Sequence, residues 1–399
     1  MFTRLLNRIM KTVLASIVSL TYCMAPEVFA TAVAPLDQIK GVYFFGDSLT
    51  DGGFNNNLAA FPFVLPLPFP AGKAPTFTTY GGYTWAQLIA HDIIGFPLPP
   101  LPYSGNDDIT NNTTPTNPPN FVTVIPALTG VNYACGGSTT DSTGFSFFWA
   151  PSLTSQIQQF LSNQGNVLSA DDVYFIWAGS NDLLAAAQVG APIPAGCPTQ
   201  SLDKALACKL KTKAGLVAKT IAEQVTVLKQ HGAKRVVVLK LPNLSSTPFM
   251  SLEIAPLYPT LDPAALAAGV KNLVFFFNAE LNKQLGQVDQ AFGTGTMYLD
   301  TYTFLDEVIQ KANAKQGFII DGQAFYFDNA RDQACKATPQ TLTQSAFFCP
   351  PSSQTKTGFV FADGLHPTYE AHTALAAYVK KALKCSLNRV PQEQCPIFD

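Results

Sequence analysis

The chain carries, at positions 41–50, the sequence Gly41-Val42-Tyr43-Phe44-Phe45-Gly46-Asp47-Ser48-Leu49-Thr50. An apolar run of this length that ends at a glycine predicts a buried β-strand leading into a turn. The turn would carry the hydroxyl of Ser48 between that strand and a helix. A serine hydroxyl becomes a nucleophile when a nearby base takes its proton, so Ser48 is a candidate catalytic residue. The alternative role for Ser48 is a helix N-cap.

Apolar runs and helical patterns alternate along the rest of the chain. Further strands are predicted at 131–135, 173–178, 235–241 and 297–299, and helices at 83–94, 152–164, 211–231, 262–285, 301–314 and 367–383. This alternation predicts a mainly parallel, five-stranded sheet with helices on both faces, in a single domain over residues 31–399. Two stretches rich in Pro, Asn and Thr, 61–75 and 97–120, are predicted to be long loop insertions.

Two further candidate site residues follow predicted strands, as Ser48 does. Gly137 comes after the strand at 131–135, and Asn181 comes after the strand at 173–178. In parallel sheets the working groups lie beyond the carboxyl ends of the strands, so we expect these residues to meet at one edge. The amide of Asn181 and the backbone N–H groups of Gly137 and Ser48 would then form an oxyanion hole. The alternative role for Asn181 is to cap a helix.

His366 is the candidate base, because Asp363 stands three residues before it. A carboxylate at this spacing can bind one ring nitrogen and fix the tautomer, which leaves the other nitrogen to face Ser48. The alternative is an ordinary helix start with Asp363 as a nearby cap. A nucleophilic hydroxyl, an amide donor and a base with its carboxylate together predict a serine esterase.

The composition is that of an apolar-rich globular chain. Of 399 residues, 47% are hydrophobic and 13% are charged, and the formal net charge is −2. The chain has no basic cluster, which argues against nucleic acid as a partner. Its four histidines show no metal-ligand spacing, and C-x-x-C and H-E-x-x-H motifs are absent, so no metal is expected. The histidines without a predicted catalytic role are His91, His231 and His372.

The first thirty residues have the pattern of a bacterial Sec-type signal peptide. Three basic residues precede a mostly apolar stretch, 13–25, and Ala30 offers a small residue for cleavage. The alternative is a membrane anchor, but this stretch is short for a span, and we predict no later stretch long and apolar enough to cross a bilayer. Removal of residues 1–30 changes the net charge from −2 to −4. We therefore expect a protein secreted through the periplasm.

Seven cysteines lie after residue 30, and six of them form close sequence pairs. An exported chain meets oxidising conditions, so these six predict three local disulfides. The predicted pairs are Cys197–Cys208, Cys335–Cys349 and Cys385–Cys395. Cys135 is left over, and because it follows an apolar stretch it is predicted to be a buried free thiol rather than a reactive one.

Four short blocks occur in one order along the chain: Gly46-Asp47-Ser48-Leu49, Asn132-Tyr133-Ala134-Cys135-Gly136-Gly137, Gly179-x-Asn181-Asp182 and Asp363-x-x-His366. They resemble blocks I, II, III and V of the GDSL, or SGNH, hydrolases. The resemblance implies a three-layer α/β/α flavodoxin-like fold and no cofactor. It also implies a triad of Ser48, Asp363 and His366, with oxyanion donors on Ser48, Gly137 and Asn181. Cys135 departs from block II, where a small or aliphatic residue is usual.

The long loops and the three predicted disulfides look similar to those of secreted bacterial phospholipases and glycerophospholipid:cholesterol acyltransferases. This likeness implies phospholipid or lysophospholipid substrates, cholesterol as an alternative acyl acceptor, and peripheral contact with a membrane. It also implies an activating protease that cuts the loop of Cys197–Cys208 or of Cys335–Cys349. Six aromatic residues of predicted loops either line an acyl groove or anchor those loops: Phe61, Phe63, Phe69, Phe147, Phe148 and Trp149.

Two other functions stay open on the same scaffold. One is a carbohydrate esterase that removes acetyl groups from sugars, and its acyl pocket would be small. The other is a non-catalytic binding module with a decayed site. The complete set of candidate catalytic residues argues against the second.

Overall fold

A four-stranded parallel sheet lies at the centre of the structure. This computed structural model describes residues 36–53, 76–96, 131–141, 150–187, 193–197, 202–251, 255–257, 262–335, 349, 351–390 and 394–399. The strands, in their hydrogen-bonded order, are β1 (Val42–Gly46), β2 (Val173–Trp177), β3 (Arg235–Leu239) and β4 (Met297–Leu299). Because every pairing is parallel, the carboxyl ends of the four strands lie at one edge of the sheet.

The predicted strand at 131–135 is reduced to a bridged segment beside β1. Asn132 forms one parallel bridge with Phe44, and the N–H of Tyr133 donates to the carbonyl of Phe44 at 2.8 Å. The pairing is short because the side chain of Asn132 accepts the N–H of Ala134 at 3.0 Å, a local bond that competes with a strand ladder. The segment nevertheless occupies the edge position beside β1. If it is counted as the second strand in chain order, the sheet has the strand order 2-1-3-4-5 of flavodoxin-like folds.

Helices cover both faces of the sheet. Those of eight or more residues in the described part of the chain are α1 (Trp85–Ile94), α2 (Leu153–Asn163), α3 (Ser180–Ala187), α4 (Leu202–Gln230), α5 (Pro263–Phe292), α6 (Thr301–Ala314) and α7 (Tyr369–Leu387). Alternate side chains of β1 contact different layers, since Phe45 packs on Phe160 of α2 while Phe44 packs on Trp85 of α1. The predicted three-layer α/β/α arrangement is therefore confirmed.

Several elements differ from the sequence prediction. Helix α4 begins at Leu202 rather than at residue 211, and α3 was not predicted. Four short strands were also missed: β5 (Phe318–Ile320), β6 (Gln323–Phe325), β7 (Asn329–Gln333) and β8 (Phe359–Phe361). Strands of three to five residues with mixed exposure carry little periodic signal. The pair of β7 and β8 matters for the site because β8 leads directly to Asp363.

Helix α5 is long and apolar enough to cross a membrane, which corrects the prediction that no stretch after residue 30 would be. A core helix of an α/β layer can have the same length and composition. The inner side of α5 is part of the core, where Val274, Phe277, Leu281 and Leu285 are buried. Only 22% of the residues in its most apolar 18-residue stretch are buried, so the other side of α5 faces outward.

Gly46 ends β1 in a backbone conformation that favours glycine. Its φ is 146°, and a Cβ at this position would lie 2.0 Å from the carbonyl oxygen of Trp177. The side-chain amide of Gln156 binds both backbone groups of Gly46, accepting its N–H and donating to its carbonyl at 2.8 Å each. These contacts hold the end of β1 against β2 at the point where the chain turns towards Ser48.

Gly46→Ala should lower the free energy of unfolding by more than about 3 kcal/mol, because the added methyl group meets backbone that cannot move away. Chemical denaturation measures this loss. Gly286→Ala is the matched control, since no heavy atom lies within 4 Å of a Cβ built at that helical position. The control should be neutral or stabilising by up to about 1 kcal/mol. Equal effects of the two substitutions would contradict the packing described for Gly46.

Candidate active site

Ser48 lies in a tight turn just beyond β1. The N–H groups of Thr50 and Asp51 both donate to the carbonyl oxygen of Asp47 at 3.0 Å, which closes one turn of helical geometry. No regular helix follows within the described residues up to Gly53, so the prediction of a helix directly after Ser48 is wrong for that stretch. In those residues Ser48 therefore has no helix to cap, and its hydroxyl binds elsewhere.

His366 joins Ser48 to Asp363 through two short hydrogen bonds. Its Nε2 lies 2.7 Å from the Oγ of Ser48, and its Nδ1 lies 2.7 Å from the Oδ2 of Asp363. The carboxylate accepts the Nδ1–H, so Nε2 presents its lone pair to the serine hydroxyl, which donates. The structure thus brings together three predicted side chains, two of which are 318 positions apart.

The loop from Asp363 to His366 is closed on itself at the end of β8. The N–H of Ala362 donates to the carbonyl of His366 at 2.8 Å. The Oδ1 of Asp363 accepts the N–H of Leu365 at 2.8 Å and that of His366 at 2.7 Å. One carboxylate therefore fixes the loop backbone with one oxygen and the imidazole with the other.

Asp363 is ionised in spite of its burial. Burial raises its pKa, but the charge of His366 and the hydrogen bonds from His366 and Leu365 outweigh that effect, so the pKa of Asp363 lies below its ordinary value. An ionised carboxylate at Nδ1 stabilises a positively charged imidazole. This is the electrostatic condition for His366 to take a proton from Ser48.

Phe77 brings the segment around Gly137 next to the imidazole. Its ring centroid lies 5.1 Å from that of His366. On the other side, a Cβ at Gly136 would lie 2.3 Å from the ring of Phe77, so the ring lies directly on this glycine. The ring of Phe77 therefore lies between the Gly136–Gly137 pair and the imidazole of His366.

The buried carboxylate of Asp51 fixes the backbone next to Gly137. The Oδ2 of Asp51 accepts the N–H of Gly136 at 2.7 Å, and its Oδ1 accepts the N–H of Gly53 at 2.8 Å. Gly137 has a φ of 84°, in the left-handed region that favours glycine. Asp51 thus ties the turn of Ser48 to the segment that carries the second candidate oxyanion donor.

Asn181 lies in the first turn of α3 and reaches the same segment. Its Nδ2 donates to the carbonyl of Ser138 at 2.8 Å, which uses one of its two N–H bonds. The next residue, Asp182, is fully buried and accepts the N–H of Thr140 at 2.9 Å and the hydroxyl of Thr140 at 3.0 Å. Lys213 lies 3.1 Å from the same carboxylate. Hydrogen bonds thus tie the start of α3, which carries Asn181, to the segment just after Gly137.

Three supporting residues were not predicted from the sequence. Asp182 ends the block that carries Asn181, and Asp51 follows Ser48 by three residues, so their closeness to these candidates was a signal that the sequence offered. Gln156 lies in the middle of α2, among other polar residues, and nothing in the local sequence distinguishes it. Its amide also donates to the hydroxyl of Ser138 at 3.0 Å, so it joins β1 to the segment after Gly137.

The remaining histidines and Cys135 lie outside the Ser48–His366–Asp363 arrangement. His372 is buried in α7 and accepts the N–H of Trp85 at 3.3 Å, and burial lowers its pKa to about 3. The thiol of Cys135 is free and buried, and burial raises its pKa. His231 lies at the end of α4 and contacts the carbonyl of Val227 at 2.9 Å. Among the described residues, no cluster of three or more His, Cys, Asp or Glu could hold a metal ion.

The structure contains all three of the predicted disulfide pairs: Cys197–Cys208, Cys335–Cys349 and Cys385–Cys395. The Cys335–Cys349 disulfide is next to the loop from Asp363 to His366, because the N–H of Cys335 donates to the carbonyl of Ala362 at 2.8 Å. Residues 1–35, which include the predicted signal peptide, lie outside the described residues. So do residues 336–348, the predicted loop insertions 61–75 and 97–120, and the six aromatic candidates Phe61, Phe63, Phe69, Phe147, Phe148 and Trp149.

The chain matches the family model of the GDSL-like lipase/acylhydrolases over residues 42–379. The chain belongs to this family. Similar proteins include the GDSL esterase/lipase At5g37690 of Arabidopsis thaliana, 26% identical with 94% of this chain and 98% of the relative covered. The GDSL esterase/lipase At4g16230 of the same plant is 23% identical, with 85% and 86% covered. Family and relatives support a hydrolase that acts on esters.

Asp47, beside Ser48, makes stability depend on pH. Burial raises the pKa of its carboxyl from 3.8 to about 7, and its Oδ2 has no hydrogen-bond partner among the described residues. Between pH 3.8 and about pH 7, Asp47 keeps in the folded state a proton that it has lost in the unfolded state. The free energy of unfolding therefore falls as pH rises through this window.

Asp47→Asn should remove that fall, because an amide does not ionise. Between pH 4 and pH 8, the free energy of unfolding of the natural chain should fall by on the order of 4 kcal/mol more than that of the variant. Urea denaturation at both pH values measures it. Asp37→Asn is the control, since it removes the same charge from an exposed position. Parallel pH profiles for Asp47→Asn and the natural chain would contradict the burial of a protonated carboxyl.

The double substitution of Cys335 and Cys349 by serine should lower both stability and kcat, because this disulfide anchors the backbone before Asp363. The corresponding change at Cys385 and Cys395 should cost a similar stability, about 3 kcal/mol, and leave kcat unchanged. Denaturation and the hydrolysis of a soluble butyrate ester measure the two effects. Equal changes of kcat in both variants would contradict the link between the first disulfide and the loop.

Proposed function

We propose that this chain is a secreted serine esterase that hydrolyses acyl esters of phospholipids or lysophospholipids. The observation that carries the proposal is the unbroken contact from the Oγ of Ser48 through the imidazole of His366 to the carboxylate of Asp363, with both bonds at 2.7 Å. A helix-cap role for Ser48 and Asp363 would not require this contact, which the chemistry of acyl transfer does require.

The first half of the proposed reaction forms an acyl-enzyme. The Oγ of Ser48 attacks the ester carbonyl carbon while Nε2 of His366 takes the hydroxyl proton. Asp363 remains a carboxylate and balances the charge of the imidazolium. The tetrahedral intermediate then collapses, His366 donates its proton to the leaving alcohol, and the acyl group stays on Ser48.

The negative charge on the carbonyl oxygen needs donors that are already in position. The N–H groups of Ser48 and Gly137 and the amide of Asn181 fill this role in the proposal. Support for this role comes from the hydrogen bonds by which Asp51 and Asp182 hold the backbone on either side of Gly137. Donors fixed before the reaction require no reorganisation when charge develops, and each is worth about 3 kcal/mol in comparable sites.

The second half of the reaction transfers the acyl group from Ser48 to an acceptor. Water gives a free fatty acid, with His366 again acting as the base. A sterol hydroxyl such as that of cholesterol would give a sterol ester by the same steps. A drier and more apolar site favours the sterol.

An apolar cluster beside the loop from Asp363 to His366, here called the catalytic loop, supports the proposal of a long acyl chain as substrate. Phe249 and Met250 form a small buried cluster, and Leu365 of the catalytic loop packs against it together with Leu184 of α3. The N–H of Phe249 donates to the carbonyl of Gly364 at 2.7 Å, which holds the cluster against the loop. A site for acetyl groups alone would not need an apolar wall of this extent.

Export is the second part of the proposal. Three disulfides fit an oxidising compartment and support it. The predicted signal peptide and the activating protease remain predictions. Because α4 begins at Leu202, most of the segment between Cys197 and Cys208 is helical, and only residues 198–201 precede the helix. For the protease, the relevant test is cleavage between Cys197 and Leu202 or between Cys335 and Cys349, which should raise the measured rate of hydrolysis.

Ser48→Ala should lower kcat/KM by several orders of magnitude without loss of folding, because no other group supplies the nucleophile. The natural chain should hydrolyse palmitoyl-lysophosphatidylcholine and long-chain esters faster than acetyl esters. Product release measured by mass spectrometry, with circular dichroism as the folding control, checks both statements.

Preference for acetyl esters of sugars over palmitoyl esters would contradict the lipid substrate but leave the esterase assignment intact. Full activity of a folded Ser48→Ala variant would contradict the catalytic assignment itself. A variant with Ser245→Ala is the matched control, since it removes a serine hydroxyl that, among the described residues, donates to Asn243 within its own loop.

A further inference from the structure

The outward side of α5 is an apolar helix face that the described chain does not cover. Five exposed residues repeat at helical spacing and are here called the outer face of α5: Ala264, Ala268, Lys271, Phe275 and Ala279. Ala265, Gly269 and Asn272 between them are exposed as well. The side chain of Phe275 is 67% exposed, and Leu216 of the neighbouring α4 is 57% exposed. After Val167, these are the two most exposed large apolar side chains among the described residues.

The outer face of α5 lies at the same edge of the sheet as the active site. Helices that follow strands in a parallel sheet begin beside the carboxyl edge and run back along the layer. For α5 this is visible at Gly179, which ends β2 just before Asn181, because a Cβ there would lie 3.1 Å from the ring of Phe277. The half of α5 before Phe277 therefore lies level with the site or beyond it.

The inner side of the first half of α5 is joined to the catalytic loop by packing. Leu266 and Val270 of α5 contact the cluster of Phe249 and Met250, and Leu365 contacts the same cluster. Apolar side chains thus run without interruption from the residue before His366 to the first half of α5. A lipid surface that received this half of α5 would therefore lie on the side of the molecule that carries Leu365, the residue before His366.

Charge on this stretch is minimal and positive. From Pro263 to Ala279 the single charged residue is Lys271, which is exposed on the outer face. The carboxylates that border this stretch are Asp262, which caps the first turn of α5, and Glu280, which is bonded to Lys283 and Gln284. Between them the ammonium of Lys271 can reach phosphate groups from an apolar helix. A second copy of the chain is a poorer fit, because stable dimers need several large anchors and this face offers one aromatic residue among alanines.

We propose that the outer face of α5 docks on the surface of a phospholipid aggregate and places the active site at the lipid–water boundary. This inference rests on the proposed action on lipid acyl esters. Phe275 enters the acyl region, Lys271 remains among the phosphates, and the Phe249–Met250 cluster leads towards Ser48. Because apolar burial supplies most of the binding, binding should persist on zwitterionic lipid and at high salt.

The test measures binding to phosphatidylcholine vesicles by co-sedimentation, in a Ser48→Ala background so that the vesicles stay intact. Phe275→Asp should weaken binding by about tenfold or more, because it removes the aromatic anchor and adds a carboxylate. Ala268→Asp, two helical turns before Phe275 on the same face, should have a similar effect. Val167→Asp is the matched control, since Val167 is 75% exposed but precedes β2 at the opposite edge of the sheet. Binding of the control should be unchanged.

Activity on two substrates separates this inference from the proposed function. With Ser48 present, Phe275→Asp should keep its rate on a soluble butyrate ester and lose about tenfold on vesicles. Equal vesicle binding by Phe275→Asp and Val167→Asp would overturn the docking surface. A dimer that Phe275→Asp dissociates without changing vesicle binding would overturn it in favour of a second copy. If vesicle binding is lost while soluble esters are still hydrolysed at Ser48, the esterase proposal stands. If no ester is hydrolysed at all, the esterase proposal is rejected.

Discussion

Parallel pairing of β1 with both of its neighbours is the constraint on which the site depends. Because Phe44 is bonded to the Asn132 segment on one side and to β2 on the other, three chain segments far apart in sequence end at one edge. The glycine at position 46 makes this convergence tight, since any larger residue would meet the carbonyl of Trp177. Ser48, Gly137 and Asn181 are therefore neighbours as a direct result of strand order.

Buried carboxylates then convert this convergence into fixed geometry. Asp51 and Asp182 bind backbone N–H groups on either side of Gly137, and Asp363 binds both its own loop and the imidazole. Buried charges of one sign close together are costly unless each is paired or neutralised. Asp182 is near Lys213, Asp363 is balanced by His366, and the burial of Asp47 keeps its pKa near 7.

The sequence predicted the parts of the site whose signals are local. An apolar run before Gly46 indicated β1 and the turn of Ser48, and the spacing of Asp363 and His366 indicated their contact. It did not predict the role of Gln156, because a glutamine within a polar helix looks the same whether it faces solvent or a strand end. The strand at 131–135 was predicted too long, since hydrophobic pattern does not reveal that the side chain of Asn132 bonds the backbone of Ala134.

Covalent labelling with a fluorophosphonate, followed by peptide mapping, tests most directly whether the hydroxyl at position 48 is activated by the imidazole at position 366. We predict a single adduct on Ser48 in the natural chain. In a folded His366→Ala variant, labelling should be slower by orders of magnitude, because the base is lost. An adduct on another residue, or a labelling rate that does not depend on His366, would contradict the catalytic arrangement described above.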